Sequence, residues 1–522
     1  MLQLPWKFPL VFFLLLMVLI ASSSDEASSS DELWHAELFS VPQPQFIGVL
    51  QSVLQVVNQA ISTMSNIPFI SDPKAKQALA DCRELLDSTT VAVDWSVSAA
   101  KSPKGSKNNS TGNVNDDLRT WVTAATTNQD TCIEGFEGTN DMFAFIIIGT
   151  IKQILSSLKQ TLSMINPGPN FSGLTRTSSR GLSESPFPVW LSTKDRKLLQ
   201  TNGEKLKPDV VVAKNGSGDY VSIMDALDAA PEFSTTRYVI YIKEGVYDEH
   251  VEVRSHYWNI MMVGDGINKT IITGNRNVVD GYTTYNSATV ALKGRGFLAR
   301  DITFQNTAGP EKRQAVALRS DSDLSVFYRC EFLGYQDTLY THSMRQFYRE
   351  CSIKGTVDFI FGNAAAVFQN CDLLLRKGLE SQKNTVTAQG RTDPNQPTGF
   401  ALQFCNITAD FDLIPSLNTT SSFLGRPWRN YSATVVLQTY LSSAISAPGW
   451  LPFSDTSNLE TLYYAEYMNA GPGSQLGGRV SWPGFHVLTS GEEVSNFTVS
   501  RLIDGDLWLP ATGVSFASGL DS

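Results

Sequence analysis

Two aspartates occupy equivalent places in a repeat. Phe327-Tyr-Arg-Cys330, Tyr348-Arg-Glu-Cys351 and Phe368-Gln-Asn-Cys371 each set an aromatic residue three positions before a cysteine, and the cysteines are 21 and 20 residues apart. Asp337 lies seven residues beyond Cys330, and Asp358 seven beyond Cys351. In β-rich sequence a period near 20 is one coil of a parallel β-helix, whose equivalent positions stack on successive coils. Neighbouring strands run ~4.8 Å apart. Two carboxyls that close cannot ionise independently, so one retains a proton while the other stays anionic, giving an acid and a base or nucleophile. The alternative is that both Asp residues cap turns between coils.

Nearby residue types extend the chemical reading. Gln336 adjoins Asp337, and Gln314 falls one coil earlier, before Ala315-Val-Ala-Leu318. Side-chain amides can donate hydrogen bonds to an oxyanion without carrying charge. Arg426, in Leu424-Gly-Arg-Pro-Trp428, could pair with one Asp and hold it ionised, and Trp428 could stack on a sugar ring. Each has an ordinary structural alternative: a surface amide, a salt bridge or a core indole. Other chemistries lack their motifs. There is no Gly-x-Ser-x-Gly elbow, Cys-x-x-Cys pair, His-Glu-x-x-His run, P-loop or dinucleotide fingerprint, so no metal or nucleotide cofactor is implied.

The elements that must position these residues follow from periodicity. After Leu206 short β-rich runs, including Val210–Val212, Tyr238–Ile242, Asn259–Val263, Ala288–Leu292 and Phe297–Phe304, alternate with Gly and Asn. Leu402-Gln-Phe-Cys405 reads as a later coil reached after a longer loop. Between Phe46 and Ile165 the period is helical instead. Leu50, Leu54, Val57, Ile61 and Met64 form one stripe, and Phe145, Ile148, Ile151, Leu155, Leu158 and Leu162 another. Two stretches between them carry Leu79, Cys82 and Leu86, and Leu118, Trp121, Val122 and Ala125, which together predict a four-helix bundle. Cys82 and Cys132 could join its second and third helices, or remain buried thiols.

The expected organisation is therefore a signal peptide over 1–22, a bundle over 23–165, a Pro/Gly/Ser-rich linker over 166–206 and a β-helix over 207–522. The apolar run Phe8–Ile20 is shorter than a membrane span, and no later run was expected to reach that length, which implies a soluble mature protein. Asp195-Arg-Lys-Leu-Leu199 in the linker is a candidate processing point. Sequons at Asn108, Asn109, Asn170, Asn215, Asn268, Asn406, Asn418, Asn430 and Asn496 agree with secretion as glycosylation acceptors. The 522 residues carry 41 Lys plus Arg against 51 Asp plus Glu, a net charge of −10 that argues against nucleic-acid binding.

These motifs resemble the plant pectinesterases, or pectin methylesterases, made with an N-terminal inhibitor-like pro-region. The likeness runs through Ala213–Tyr220, Gln305–Pro310, Gln314–Arg319, Gly334–Tyr340, Gly355–Asn363, Leu424–Trp428 and Trp508–Pro510. It implies a right-handed parallel β-helix acting on methyl-esterified homogalacturonan in the plant cell wall. By the same resemblance Asp358 is the nucleophile, Asp337 the proton donor and later base, Gln336 and Gln314 the oxyanion-stabilising pair, and Arg426 the group that orients Asp358. Thr284, Gln314, Arg426 and Trp428 match positions that touch substrate. Proteinaceous pectinesterase inhibitors and a processing protease are implied partners of a monomeric enzyme.

The bundle resembles pectin methylesterase inhibitor domains less fully, since no Cys precedes Cys82 where that family usually carries an earlier pair. Asn215 stands where Asp is common. Cys330, Cys351, Cys371 and Cys405 permit three complete pairings; the stacked register and the resemblance together favour Cys351 with Cys371. Two other functions use the same features: a glycoside hydrolase or lyase, whose paired carboxylates are similarly spaced, and a non-catalytic wall-binding or inhibitor protein. The glutamine pair favours ester chemistry, and intact Asp337, Asp358 and Arg426 argue against a dead enzyme.

Overall fold

A computed structural model describes residues 38–67, 70, 72–102, 110–139, 141–167, 207–454 and 458–520. The expected signal peptide, the Arg196-Lys197 site and the sequons at Asn108, Asn109 and Asn170 lie outside the described residues.

Four helices form the bundle: α1 (Gln43–Ser65), α2 (Pro73–Ala100), α3 (Val114–Gly135) and α4 (Met142–Ser163). Local chemistry starts three of them. Asp72 accepts from the Lys74 amide ahead of α2, Asn113 from the Asp116 amide ahead of α3, and Asp141 from the Phe143 amide ahead of α4. The Cys82–Cys132 disulfide ties α2 to α3 as expected. The α1 stripe is carried inward by Phe46, Leu50, Val53, Val57, Ala60 and Met64. In α4 the buried stripe is Ile147, Ile151, Ile154, Leu158 and Leu162, and Phe145 points outward, 69% exposed. By length and apolar composition α4 would suffice to cross a membrane, contrary to expectation, yet this stripe fills the bundle core.

The rest is the expected β-helix: three parallel sheets of 11, 7 and 8 strands, the central coils contributing one strand to each sheet. Register follows the repeat. Leu339 pairs with Ile360 and Glu331 with Ser352, both offsets equal to the 21-residue cysteine spacing. The aromatics before the cysteines stack through the core, with Phe327 and Tyr348 centroids 4.7 Å apart and Tyr348 and Phe368 4.6 Å apart. Arg329, Glu350, Asn370 and Phe404, each just before a cysteine, have positive φ, so one corner of every coil turns through the same left-handed bend.

The cysteine ladder corrects one expectation. Cys351 and Cys371 are not joined, and all four β-helix cysteines are free and buried. Each of Cys351, Cys371 and Cys405 turns its thiol toward a carbonyl of the preceding coil, of Phe327, Tyr348 and Phe368 respectively, at 3.4–3.6 Å.

The bundle lies on the seven-stranded sheet. Helix α3 is buried almost all round, although it presents Thr120, Thr123, Thr126, Thr127, Asn128 and Thr131. A helix of that composition is buried only when both its faces have partners. Its apolar side packs in the bundle, and its polar side meets the β-helix: Asp117 pairs with Arg345 at 2.8 Å and Trp121 donates to Asp323 at 3.1 Å. From α2, Glu84 reaches Lys293 at 2.7 Å and Arg319 at 3.1 Å.

Candidate active site

Asp337 and Asp358 occupy successive corners of the seven-stranded sheet, and the Asp337 amide donates to the Val357 carbonyl at 3.0 Å. Both take left-handed backbone, at φ 62° and 51°, a conformation that Asp tolerates better than most residues. Each is 7% exposed. The coil offset thus brings the two carboxyls together as the repeat implied.

Their environments differ. Arg426 forks onto Asp358, Nε to Oδ1 at 2.7 Å and Nη2 to Oδ2 at 2.6 Å. Thr385 also donates to Asp358 Oδ1, at 2.7 Å, and takes the Asp358 amide at 2.8 Å. Among the described residues Asp337 has no comparable cation of its own. Burial, reinforced by the charge of Asp358, pushes its carboxyl well above the usual carboxylate range against the weaker pull of Arg426. The pair is a retained acid beside an Arg-bound carboxylate.

Gln314, Gln336, Thr284 and Trp428 line the same cavity of about 320 Å³, with Tyr285, Tyr340 and Phe361. Every expected catalytic and substrate-touching residue is therefore brought to one place. Trp428 lies against Gly390, where a Cβ would stand 2.9 Å from the indole; glycine there lets the ring approach the coil. Phe453 packs on Arg426, whose guanidinium carbon is 4.5 Å from the ring centroid.

Thr385 and Phe453 were not anticipated. Thr385 follows Asp358 by 27 residues, because the next coil carries a longer loop and breaks the period of 20–21. Phe453 comes from an irregular segment just beyond Trp450, which bridges Gly425 of the preceding coil.

The bundle roofs this cavity. Asp81 accepts from Thr283 and, at 3.1 Å, from the Asn286 amide; Thr131 and His342 approach within 2.9 Å; Glu134 pairs with Arg429. The apolar cluster of the bundle continues onto the cleft floor through Tyr285, Val316, Tyr340 and Phe361. Burial outweighs these bonds and pushes the Asp81 carboxyl up to about 6 and that of Glu134 up to about 7.

Residues 209–506 match the family model described as pectinesterase, and residues 39–166 the one described as plant invertase/pectin methylesterase inhibitor. The chain belongs to the pectinesterase family. It is 53% identical to the probable pectinesterase/pectinesterase inhibitor 32 of Arabidopsis thaliana, over 94% of each chain. It is 49% identical to pectinesterase 2 of Citrus sinensis, over 86% of this chain and 82% of that one. Among solved structures, the pectin methylesterase from carrot aligns with a TM-score of 0.60 at 56% identity, covering 60% of this chain and 99% of the carrot chain. A pectinesterase β-helix of this kind therefore stands as a folded unit without the bundle. A pectin methylesterase from Aspergillus niger aligns with a TM-score of 0.51 at 29% identity, over 58% of this chain and 96% of that one.

The sequons of this pectinesterase differ in accessibility. Asn215, Asn268, Asn418, Asn430 and Asn496 are exposed, whereas Asn406 is half-buried and its amide donates to Asp372 at 3.1 Å.

Proposed function

We propose that the β-helix hydrolyses methyl esters of homogalacturonan through an aspartyl acyl-enzyme. Asp358 attacks the ester carbonyl, and the amides of Gln336 and Gln314 donate to the oxyanion that forms. Asp337 gives its proton to the departing methoxide, releasing methanol and leaving the galacturonyl group on Asp358 as an anhydride. Now a carboxylate, Asp337 takes a proton from water, whose oxygen attacks the acyl carbon; Asp358 leaves as carboxylate and the pair is restored. Arg426 orients Asp358, while Thr284 and Trp428 contact the sugar chain. The observation that carries this reading is the difference between the two stacked aspartates, one retaining its proton by burial and the other bound by Arg426.

Residues 1–22 direct secretion toward the plant cell wall, and cleavage near Arg196-Lys197 in the 166–206 linker separates the bundle from a monomeric enzyme. Until then the bundle restrains catalysis by covering the cleft. This is supported by its contacts to Thr283 and Arg429, which line the cleft. Glycans occupy the exposed sequons, and separate inhibitor proteins are further partners.

The test is methanol release from highly methylated pectin by Lys205–Ser522, Asp358→Ala and Asp337→Ala, with chain length followed in parallel. Methanol at constant chain length, lost in both variants, is the expected result. Shortened chains would mean a glycosidase or lyase, and untouched pectin a binding protein.

A further inference from the structure

Arg376 reaches across a coil to the turn that delivers the catalytic acid. Leu333, Lys354 and Leu374 stack in register on three successive coils of the eight-stranded sheet, so Gly334 and Arg376 lie two coils apart, ~9.6 Å at strand spacing. The side chain of Arg376 spans the intervening coil. Its Nη1 donates to the Gly334 carbonyl and its Nη2 to the Tyr335 hydroxyl, each at 2.8 Å, and the guanidinium carbon lies 3.9 Å from the Tyr335 ring centroid. Gln336 and Asp337 follow directly in the chain.

The main chain of Arg376 is bound to the coil between. Its amide donates to the Gly355 carbonyl at 2.8 Å, and the Thr356 amide donates to that of Tyr335 at 2.9 Å, two residues before Asp358. Gly355 makes room for this, since a Cβ there would stand 2.7 Å from the Tyr335 carbonyl oxygen. From the far side Asp412 steadies the guanidinium, accepting Nε through Oδ2 at 3.4 Å and the Lys377 amide through Oδ1 at 3.1 Å. One residue thus bears on the corner that carries Asp337 and on the corner that carries Asp358. Spacing between those corners governs the chemistry: Asp337 keeps its proton by burial and by the nearby charge of Asp358, and the other charge acting on it is that of Arg426. Arg376 does not line the cavity, so its influence runs through Gly334 and Tyr335.

We infer that Arg376 is a positioning residue for ester hydrolysis: it fixes the Gly334–Tyr335 turn against the Asp358 coil and so sets the distance at which acid, oxyanion donor and nucleophile meet. The inference rests on the pectinesterase reading. Any slip of that turn carries Gln336 and Asp337 with it, while Asp358 stays on its own coil under Arg426.

The experiment follows methanol release from highly methylated pectin across pH, with Tm alongside, for Lys205–Ser522 and its Arg376→Gln, Arg376→Lys and Tyr335→Phe variants. Arg376→Gln should lose about tenfold to a hundredfold in kcat with KM unchanged, the scale of a reacting group displaced by up to about 1 Å. The alkaline limb of its kcat profile, where Asp337 loses its proton, should move to lower pH, because an acid farther from Asp358 ionises more readily. Arg376→Lys keeps one donor for Gly334, and Tyr335→Phe loses only the hydroxyl, so both should fall between wild type and the glutamine variant. A lower Tm with the kcat and alkaline limb of wild type would overturn the inference and leave Arg376 a structural clamp. A limb moved to higher pH would also overturn it, since that is the sign of a positive charge lost from direct action on the acid. So would a raised KM at unchanged kcat, which would place Arg376 on substrate. Should Arg376→Gln fail to fold, Arg376→Lys decides, and wild-type kcat and limb there would overturn the inference. Wild type releasing no methanol would instead overturn the pectinesterase reading beneath it.

Discussion

The hydroxyl of Thr385 donates to Asp358 Oδ1, the same oxygen that accepts Nε of Arg426, at 2.7 Å in each case. Among the described residues Oδ2 receives only Nη2 of Arg426. The two carboxylate oxygens are thus unequal, and on the proposed mechanism the less engaged Oδ2 would be the attacking atom. Removing the hydroxyl in Thr385→Val should lower kcat for methanol release by about tenfold to a hundredfold, the scale of one hydrogen bond that positions a reacting group. KM should change little, and Thr385→Ser should recover most of the rate. A valine variant with wild-type kcat and only a lower Tm would make Thr385 purely structural.

Asp337 is expected to be costly to stability and necessary to chemistry. Asp337→Asn keeps its shape but cannot transfer a proton, so methanol release should fall by about a thousandfold. Because the native pKa lies well above the ordinary aspartate value of 3.8, the protonated group contributes fully below about pH 4, and that contribution is lost as pH rises through the native value. The Tm of Asp337→Asn should therefore exceed that of wild type, by a margin that widens from acid toward alkaline pH. Thermal unfolding at several pH values checks the sign.

The roof over the cleft should respond to pH. In the full chain burial at the bundle–β-helix contact holds Asp81 at about 6, above its ordinary 3.8, and Glu134 at about 7, above 4.5, so to the extent that separation exposes these carboxyls the docked state takes up protons that the separated one does not. Restraint is strongest below about pH 4 and is lost as pH rises through about 6 and then about 7. Arg429 opposes the Glu134 shift, while Asp130 and Glu137 reinforce it. Methanol release by the uncleaved chain, divided by that of Lys205–Ser522, should rise across this interval, and Glu134→Gln should flatten the upper part. A ratio independent of pH would contradict the assignment.

Thiol chemistry distinguishes the cysteine ladder from the bundle disulfide. Denatured, unreduced protein should show four reactive thiols, at Cys330, Cys351, Cys371 and Cys405, and one disulfide between Cys82 and Cys132. Replacing Cys82 and Cys132 with Ser should destabilise the bundle by about 4 kcal/mol in the chain-entropy account of a closed loop of this length. Denaturant unfolding of the full chain should then show the bundle melting first.

Much of the site was legible because a β-helix writes its third dimension into its period. Once Cys330 and Cys351 set the offset, Asp337 and Asp358 had to stack, and the aromatic column Phe327, Tyr348 and Phe368 followed from the same count. The period also misled, since stacked cysteines suggested a Cys351–Cys371 bond where each sulfur instead turns to a carbonyl. In α4, which faces neighbours on only part of its surface, Ile151, Leu158 and Leu162 of the stripe read from sequence are buried, whereas Phe145, Ile148 and Leu155 lie one residue beyond the buried Ala144, Ile147 and Ile154.

The sequence alone determined the coil length, the aspartate pair and the four helices, because each depends on residues at short or regular separation; the Cys82–Cys132 link, across 50 residues, it left open. Only the tertiary structure decided what surrounds the pair. Thr385 lies 27 residues beyond Asp358, Arg426 lies 68 beyond it, and Glu134 meets Arg429 across 295 residues. No local period spans such distances; those meetings are set by how coils of unequal length stack and by where a separate bundle finds surface to bury.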